Sequence, residues 1–351
     1  FGIKLVLVID GDDLPCKQSV NDKRREDRAA AYQKGLQFER RGDSQEARKH
    51  FAKACSISHE VRRELILQCQ TKQIRFVVAP YEADAQLADL SHRGVVDAVI
   101  SEDSDLLAYG CPRVLFKLDM KTLRGDEIQI MKDLASNTSL SFRNWNQDMF
   151  VHMCILAGCD YFEGVPGVGI QTAHKLVRVN RSPQKIFNAL RMTGKLPRGF
   201  EEAFWVAYRT FRHQRVYCTN EQIVRPLFPI QEQLRSNEEW NFLGPAMESS
   251  LAISIATGVI HPRKHLSWKE IEAKRVPYTT NTRNHQRNPP LVTDKKTAAR
   301  KKSSSDMFAF FNKGSKEKSQ AVQNRVPLGE ISFNPNKITQ QVATTANGYK
   351  S

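Results

Sequence analysis

The sequence predicts an α/β fold, a central and mainly parallel sheet with helices on both faces. Three observations carry this. Residues 5–9, 76–79 and 98–100 are short apolar, β-branched runs, the pattern of strands buried on both faces. Each run stops abruptly at carboxylates: Asp10 after the first, Glu82 and Asp84 after the second, Asp103 and Asp105 after the third. Stretches of helical period separate the runs, as in strand–helix–strand units.

Ligands of parallel sheets sit beyond the carboxyl ends of the strands. The three strand ends therefore deliver their carboxylates into one crevice. So many like charges do not stay ionised together without cations between them. Hard oxygen donors in that number point to Mg²⁺, with Mn²⁺ as a substitute, and to two ions.

The whole chain carries the opposite sign. Its formal net charge is +15 and its pI about 9.5, which predicts a polyanionic partner, nucleic acid before others. Basic charge gathers the polymer and the acidic cluster holds the metals that act on it. The seven cysteines show no CxxC pairing, which reads as reduced thiols of an intracellular protein and argues against structural zinc. No run approaches the ~18 apolar residues of a membrane span, so no membrane partner is expected, and no signal peptide is visible. The chain begins at Phe1 and enters a strand at once, so an upstream piece is expected to be missing.

In order, residues 1–10 read as the first strand and 11–15 as a turn. Residues 17–70 are charged, alanine-rich and helical in period, broken at Arg41 to Ser44, where Asp43 or Ser44 caps the next helix. Lys17, Lys23, Arg24, Arg25 and Arg28 crowd the start of this stretch, Arg24 and Arg28 sharing a helix face. Beside a strand that ends in a site carboxylate, phosphate binding is the better reading than a solvated face. Residues 30–56 resemble one tetratricopeptide unit, but one repeat makes no solenoid, and the reading is a helical hairpin. Residues 74–101 form a strand–helix–strand unit, and 113–118 another strand. The apolar helix 147–156 runs into Gly158, Cys159, Asp160 and Tyr161, adding a sixth carboxylate.

Residues 164–169 are a glycine-rich turn ahead of a further helix. Glycines let the backbone come close to a ligand, and amides at a helix start bind phosphate. This is a helix-hairpin-helix signature for holding the DNA backbone without reading bases. His174, Lys175, Arg178 and Arg181 favour that reading over a plain capping turn. Residues 199–217 read as an aromatic core helix and 243–258 as the last apolar helix. After 277 the periodicity vanishes, which predicts a disordered tail. The tail holds a basic cluster at 295–302, read as either a nuclear import signal or a solvated run, and Met307, Phe310 and Phe311 on one side of a helical turn.

Taken together, the segments 81–87, 102–111 and 158–161, with Ile9, Asp10, Gly11 before them and Gly164 to Gly169 behind, resemble the flap-endonuclease family of structure-specific 5′ nucleases. Weaker similarity extends to Pro262. The resemblance implies a PIN-like nuclease core at 1–145 with a helical arch over about 17–70. It implies an H2TH-type helix-hairpin-helix region with closing helices at 146–276, ahead of the basic tail at 277–351. It makes Asp10, Glu82, Asp84, Asp103, Asp105 and Asp160 the metal ligands. Lys17 and Arg24 become catalytic residues at the base of the arch, in contact with the scissile phosphate. Arg28, Gly167, Gly169, Gln171 and Thr172 become DNA contacts, with a K⁺ at the hairpin turn. Met307, Phe310 and Phe311 resemble the apolar half of a sliding-clamp-binding box, with Ser304 where that box has glutamine.

The activity so implied is divalent-metal-dependent 5′→3′ exonuclease action on double-stranded DNA, with 5′-flap endonuclease activity. It would serve mismatch repair, end resection and recombination in the nucleus. The protein is expected to be a monomer whose partners are DNA with 5′ ends, nicks or flaps, a sliding clamp and mismatch-repair proteins. The family opens with a strand and helix that carry one more metal-site aspartate, a segment that would precede Phe1. Two other readings therefore stand beside the first, a catalytically impaired DNA-binding scaffold and a flap- or junction-specific endonuclease. A phosphatase with Asp10 as covalent nucleophile gives the hairpin and the arch nothing to do.

Overall fold

The structure is a computed structural model that describes residues 3–137, 139–194, 196, 198–230, 240–273 and 325–327. The chain opens with β1 (Val6–Ile9), a 3₁₀ turn over Pro15–Lys17, and three helices, α1 (Gln18–Arg40), α2 (Ser44–Ala54) and α3 (His59–Thr71). The expected break falls at Arg41 and Gly42, and the Asp43 side chain caps α2 by accepting from the Glu46 amide at 3.1 Å. Tyr32 meets Phe51 at 5.7 Å and Phe38 stacks on His50 at 5.2 Å, so α1 and α2 form the helical hairpin read from the sequence.

β2 (Arg75–Val78), α4 (Ala83–His92), β3 (Val99–Ile100) and α5 (Asp105–Ala108) follow. After them come β4 (Val114–Asp119), β5 (Arg124–Ile128) and α6 (Ile130–Ala135). The α/β class holds, with the strands in small sheets rather than one continuous sheet. β1 and β2 pair in parallel, Val6 opposite Arg75 and Ile9 opposite Val78. β3 pairs in parallel with β4, which continues antiparallel into β5.

α7 (Gln147–Ala157), α8 (Ile170–Asn180), α9 (Pro183–Met192) and α10 (Phe200–His213) form the helical second half. The aromatic helix lies in the core as expected. Phe204 is fully buried, with Phe187 edge-on to it at 5.1 Å. This cluster is continuous with Leu106, Val114 and Phe116 of the sheet half, and burying such rings drives the packing. Four features differ from the sequence reading. α10 stops at His213 because the next residues become β6 (Arg215–Cys218), paired antiparallel with β7 (Ile223–Pro226). The last apolar helix shrinks to α11 (Ser249–Ala256), since Gly244 at φ 79° and Pro245 cannot continue a helix. α12 (Trp268–Ala273) was not legible, and the Trp268 indole N–H anchors it by donating to the Gly258 carbonyl at 2.9 Å.

The fourth difference corrects the tail. β8 (Arg325–Pro327) pairs antiparallel with β5 inside the stretch read as disordered, because β5 offers an open ladder edge. The import-signal cluster 295–302 and the clamp-box residues Met307, Phe310 and Phe311 lie outside the described residues. Among the described residues, no helix is long and apolar enough to cross a membrane.

One close approach sets the site. The Gly11 amide donates to the Tyr81 carbonyl at 2.6 Å and the Asp12 amide to the Pro80 carbonyl at 3.1 Å, which locks the loop after β1 onto the end of β2. A Cβ at Gly11 would stand 1.9 Å from the Ala79 carbonyl oxygen, a backbone atom that cannot step aside. Gly11→Ala is therefore expected to cost about 1–3 kcal/mol in urea unfolding, the range of overpacking, with an unchanged m-value.

Candidate active site

Asp10, Glu82, Asp84, Asp103 and Asp105 sit where a strand gives way to a helix or turn. Asp10 leaves β1 and accepts from the Ala83 amide at 2.9 Å, so its carboxylate caps the N-terminus of α4. Glu82 is the residue before that helix and Asp84 lies in its first turn. Asp103 accepts from the Asp105 amide at 2.9 Å as the chain turns from β3 into α5. Asp160 comes from the other half of the chain, in the turn after α7 closed by the Cys159–Phe162 bridge.

Lys17 stands among them. Its ammonium contacts Glu82 Oε1 and lies 2.9 Å from Asp160 Oδ2, though the residue is only 9% exposed. Burial works against its charge, but Glu82 and Asp160 outweigh it, so its pKa is raised. Arg24, reaching down from α1, grips both Asp160 oxygens at 3.1 and 2.9 Å. Burial alone would raise the Asp160 pKa, and Lys17 and Arg24 reverse that and lower it.

For Asp84 and Asp105, Lys17 offsets only part of the rise. Burial, then Asp103, Glu82 and Asp10, push Asp84 up to about 8. Burial, then Asp103, Asp160 and Asp84, hold Asp105 well above the carboxylate range. These are hard oxygen donors short of positive charge, and that chemistry fits Mg²⁺ or Mn²⁺. Among the described residues no three acid, histidine or cysteine side chains already enclose a common point. Within the crevice, Lys17 and Arg24 supply the positive charge instead.

A family description, the XPG I-region, matches residues 73–160, from β2 through Asp160. The chain is 39% identical over 269 residues to exonuclease 1 of Arabidopsis thaliana, covering 76% of this chain and 36% of that one. It is 36% identical over 268 residues to exodeoxyribonuclease 1 of Schizosaccharomyces pombe, covering 75% of this chain and 46% of that one. The chain belongs to the XPG and flap-endonuclease family. It spans between a third and a half of the length of these two curated relatives. Flap endonuclease-1 from Methanococcus jannaschii is similar in structure at 24% identity, with a TM-score of 0.39 over 60% of this chain and 61% of that one.

Against this family's motif order, the structure gathers Glu82, Asp160, Lys17 and Arg24 by direct contact, with Asp10, Asp84, Asp103 and Asp105 in the same electrostatic cluster. Arg28 is half-buried further along α1, away from these contacts. The hairpin residues form a separate surface. Gly164, at φ 82°, would put a Cβ 2.7 Å from the Gly158 amide nitrogen, and Gly167 turns outward at φ 74°. Gly169 is the N-cap of α8 and no side chain caps that helix, leaving the exposed Gln171 and Thr172 at its start. Sequence reasoning missed Arg263, which pairs with Asp12 and Asp13 across 250 positions of chain and steadies the loop after Asp10. No local signal marks such a pairing. It also passed over the hydroxyls of Tyr109 and Tyr161, which entered only as members of the motif segments.

The raised acids fix a sign. A carboxyl whose pKa is higher in the fold than in the free chain binds protons that the unfolded state releases first. Stability of the metal-free protein therefore falls as pH rises from about 4, the free aspartate value, towards 8. In EDTA at pH 8, Asp84→Asn is expected to raise the melting temperature by about 2–4 °C, the equivalent of about 1 kcal/mol. Mg²⁺ should stabilise the parent and do so much less for the variant.

Proposed function

We propose that this chain is the nuclease portion of a divalent-metal-dependent 5′→3′ double-stranded DNA exonuclease with 5′-flap endonuclease activity, acting in mismatch repair, end resection and recombination in the nucleus. The observation that carries this reading is the interlock of Lys17 and Arg24 with Glu82 and Asp160. It joins a basic helix pair to an acid crevice at the level where a scissile phosphate would have to sit. The names of the relatives, exonuclease 1 and exodeoxyribonuclease 1, support the same reaction.

Asp10, Glu82 and Asp84 would hold one ion and Asp103, Asp105 and Asp160 the second. When bound, such ions polarise a phosphodiester and activate water for in-line displacement. The remaining work falls to the chain. Lys17 and Arg24 are positioned to meet negative charge that would grow on the phosphoryl oxygens. Their long side chains, one from the 3₁₀ turn and one from α1, reach the crevice from the arch side and orient a phosphate against it. Cys154 and Cys159 are buried thiols with raised pKa and do not serve as nucleophiles. The turn 164–169 and the N-terminus of α8 would hold the duplex backbone, with a K⁺ there, and Lys175, Arg178 and Arg181 are exposed beside it. A sliding clamp and mismatch-repair proteins remain partners of this reading, the clamp through Met307, Phe310 and Phe311.

Cleavage of a 3′-labelled, 5′-recessed duplex and of a 5′ flap tests it. The parent should cut both with Mg²⁺ and neither with EDTA, and Asp103→Ala should lose cutting while still binding the DNA. Arg24→Ala, which removes an exposed side chain, should lower kcat about 100-fold or more with little change in KM. Binding without any cutting would mark a scaffold, and cutting confined to flaps or junctions would mark a junction enzyme. Replacing Lys175 and Arg178 by alanine should weaken binding alike for every sequence and reduce the salt slope by about 1 for each phosphate left without its cation.

A further inference from the structure

A polar chain runs inward from the crevice through the aromatic core. The Tyr161 hydroxyl donates to Glu82 Oε2 at 2.5 Å and lies 2.6 Å from the Tyr109 hydroxyl, which in turn contacts Oε1 of Gln214. Tyr109 and Gln214 are wholly buried. Phe211 closes the space, its ring 5.1 Å from each tyrosine ring. The Gln214 amide nitrogen is also buried and has no hydrogen-bond partner.

The protons do not balance in that arrangement. Each hydroxyl has one proton, and three contacts link Glu82 to Gln214. With Tyr161 donating to Glu82 and Tyr109 to the amide oxygen, the 2.6 Å contact between the hydroxyls has no proton at all. Turning the amide over exchanges two atoms of nearly equal shape. Nε2 then donates to Tyr109, Tyr109 to Tyr161 and Tyr161 to Glu82. All three contacts are satisfied and the stranded N–H gains a partner. The remaining carbonyl is the less costly group to leave under-satisfied.

We infer that Gln214, Tyr109 and Tyr161 form a one-way hydrogen-bond relay that fixes the Glu82 carboxylate for a divalent cation. The inference rests on the proposed reading of Glu82 as an ion ligand. With Oε2 held by Tyr161, Oε1 is presented towards Lys17 and the crevice in a defined direction. The three residues come from the end of α5, the turn after α7 and the join of α10 to β6. The relay thus ties the metal-site end of α4 to the helical half. Tyr109 and Gln214 touch neither ion nor substrate, so they are positioning residues. Groups that hydrogen-bond a ligating side chain change metal affinity by about 10–100-fold when removed.

Mn²⁺ titration by calorimetry of the full chain tests this, with Tyr161→Phe, Tyr109→Phe, the double variant, Phe211→Leu and Glu82→Gln. Tyr161→Phe should weaken Mn²⁺ about 10-fold or more and Tyr109→Phe by a smaller factor. The double variant should match Tyr161→Phe alone, because Tyr109 reaches Glu82 only through Tyr161. Phe211→Leu should lower the melting temperature and leave affinity unchanged, separating packing from relay. Parental affinity in Tyr109→Phe, or losses that multiply independently, would overturn the relay. If Tyr161→Phe fails to fold, Tyr109→Phe decides alone. If Glu82→Gln binds Mn²⁺ as the parent does, the ion-site reading falls instead.

Discussion

The structure depends on one buried ammonium. Lys17 sits between Glu82, from the end of β2, and Asp160, from the turn after α7. It joins two parts of the chain whose backbones share no ladder. A buried cation is tolerated only when paired, and each acid here is costly without it. Lys17 is also fixed in place, since its amide donates to the Leu14 carbonyl at 3.0 Å in the 3₁₀ turn that follows β1. The same residue therefore closes the fold and aims a positive charge at the crevice. Arg24 repeats the arrangement further along the chain, from α1, with a more exposed side chain.

Function follows from what this neutralisation leaves undone. Two cations meet Glu82 and Asp160, while Asp84 and Asp105 press against other carboxylates with their pKa values raised by burial and mutual repulsion. Such a crevice stores electrostatic stress that a divalent ion relieves. In the proposed reading, ions held there would compete with Lys17 and Arg24 for the same oxygens, and the cations so freed would face a phosphate.

Much of this was legible in the sequence because strand ends are marked by chemistry. Apolar runs stopping at Asp10, Glu82 and Asp103 located the crevice, and Asp43 marked the hairpin break where it lies. Periodicity could not show that the strands divide into small sheets, since ladder continuity depends on which edges meet. The end of α10 at His213 was hidden because Val216 and Tyr217 suit an amphipathic helix and a strand equally. Arg263 with Asp13, and Tyr109 with Gln214, pair residues remote in sequence whose types are ordinary where they stand. Tyrosine reads as core by its ring, and only its neighbours show what the hydroxyl does.

The most direct measurement is anomalous scattering from crystals of the chain soaked in Mn²⁺. Two peaks are expected in the crevice, one among Asp10, Glu82 and Asp84 and one among Asp103, Asp105 and Asp160, with the Lys17 ammonium moved away from both acids. A crevice without a peak, and Lys17 still seated between Glu82 and Asp160, would contradict the two-ion reading.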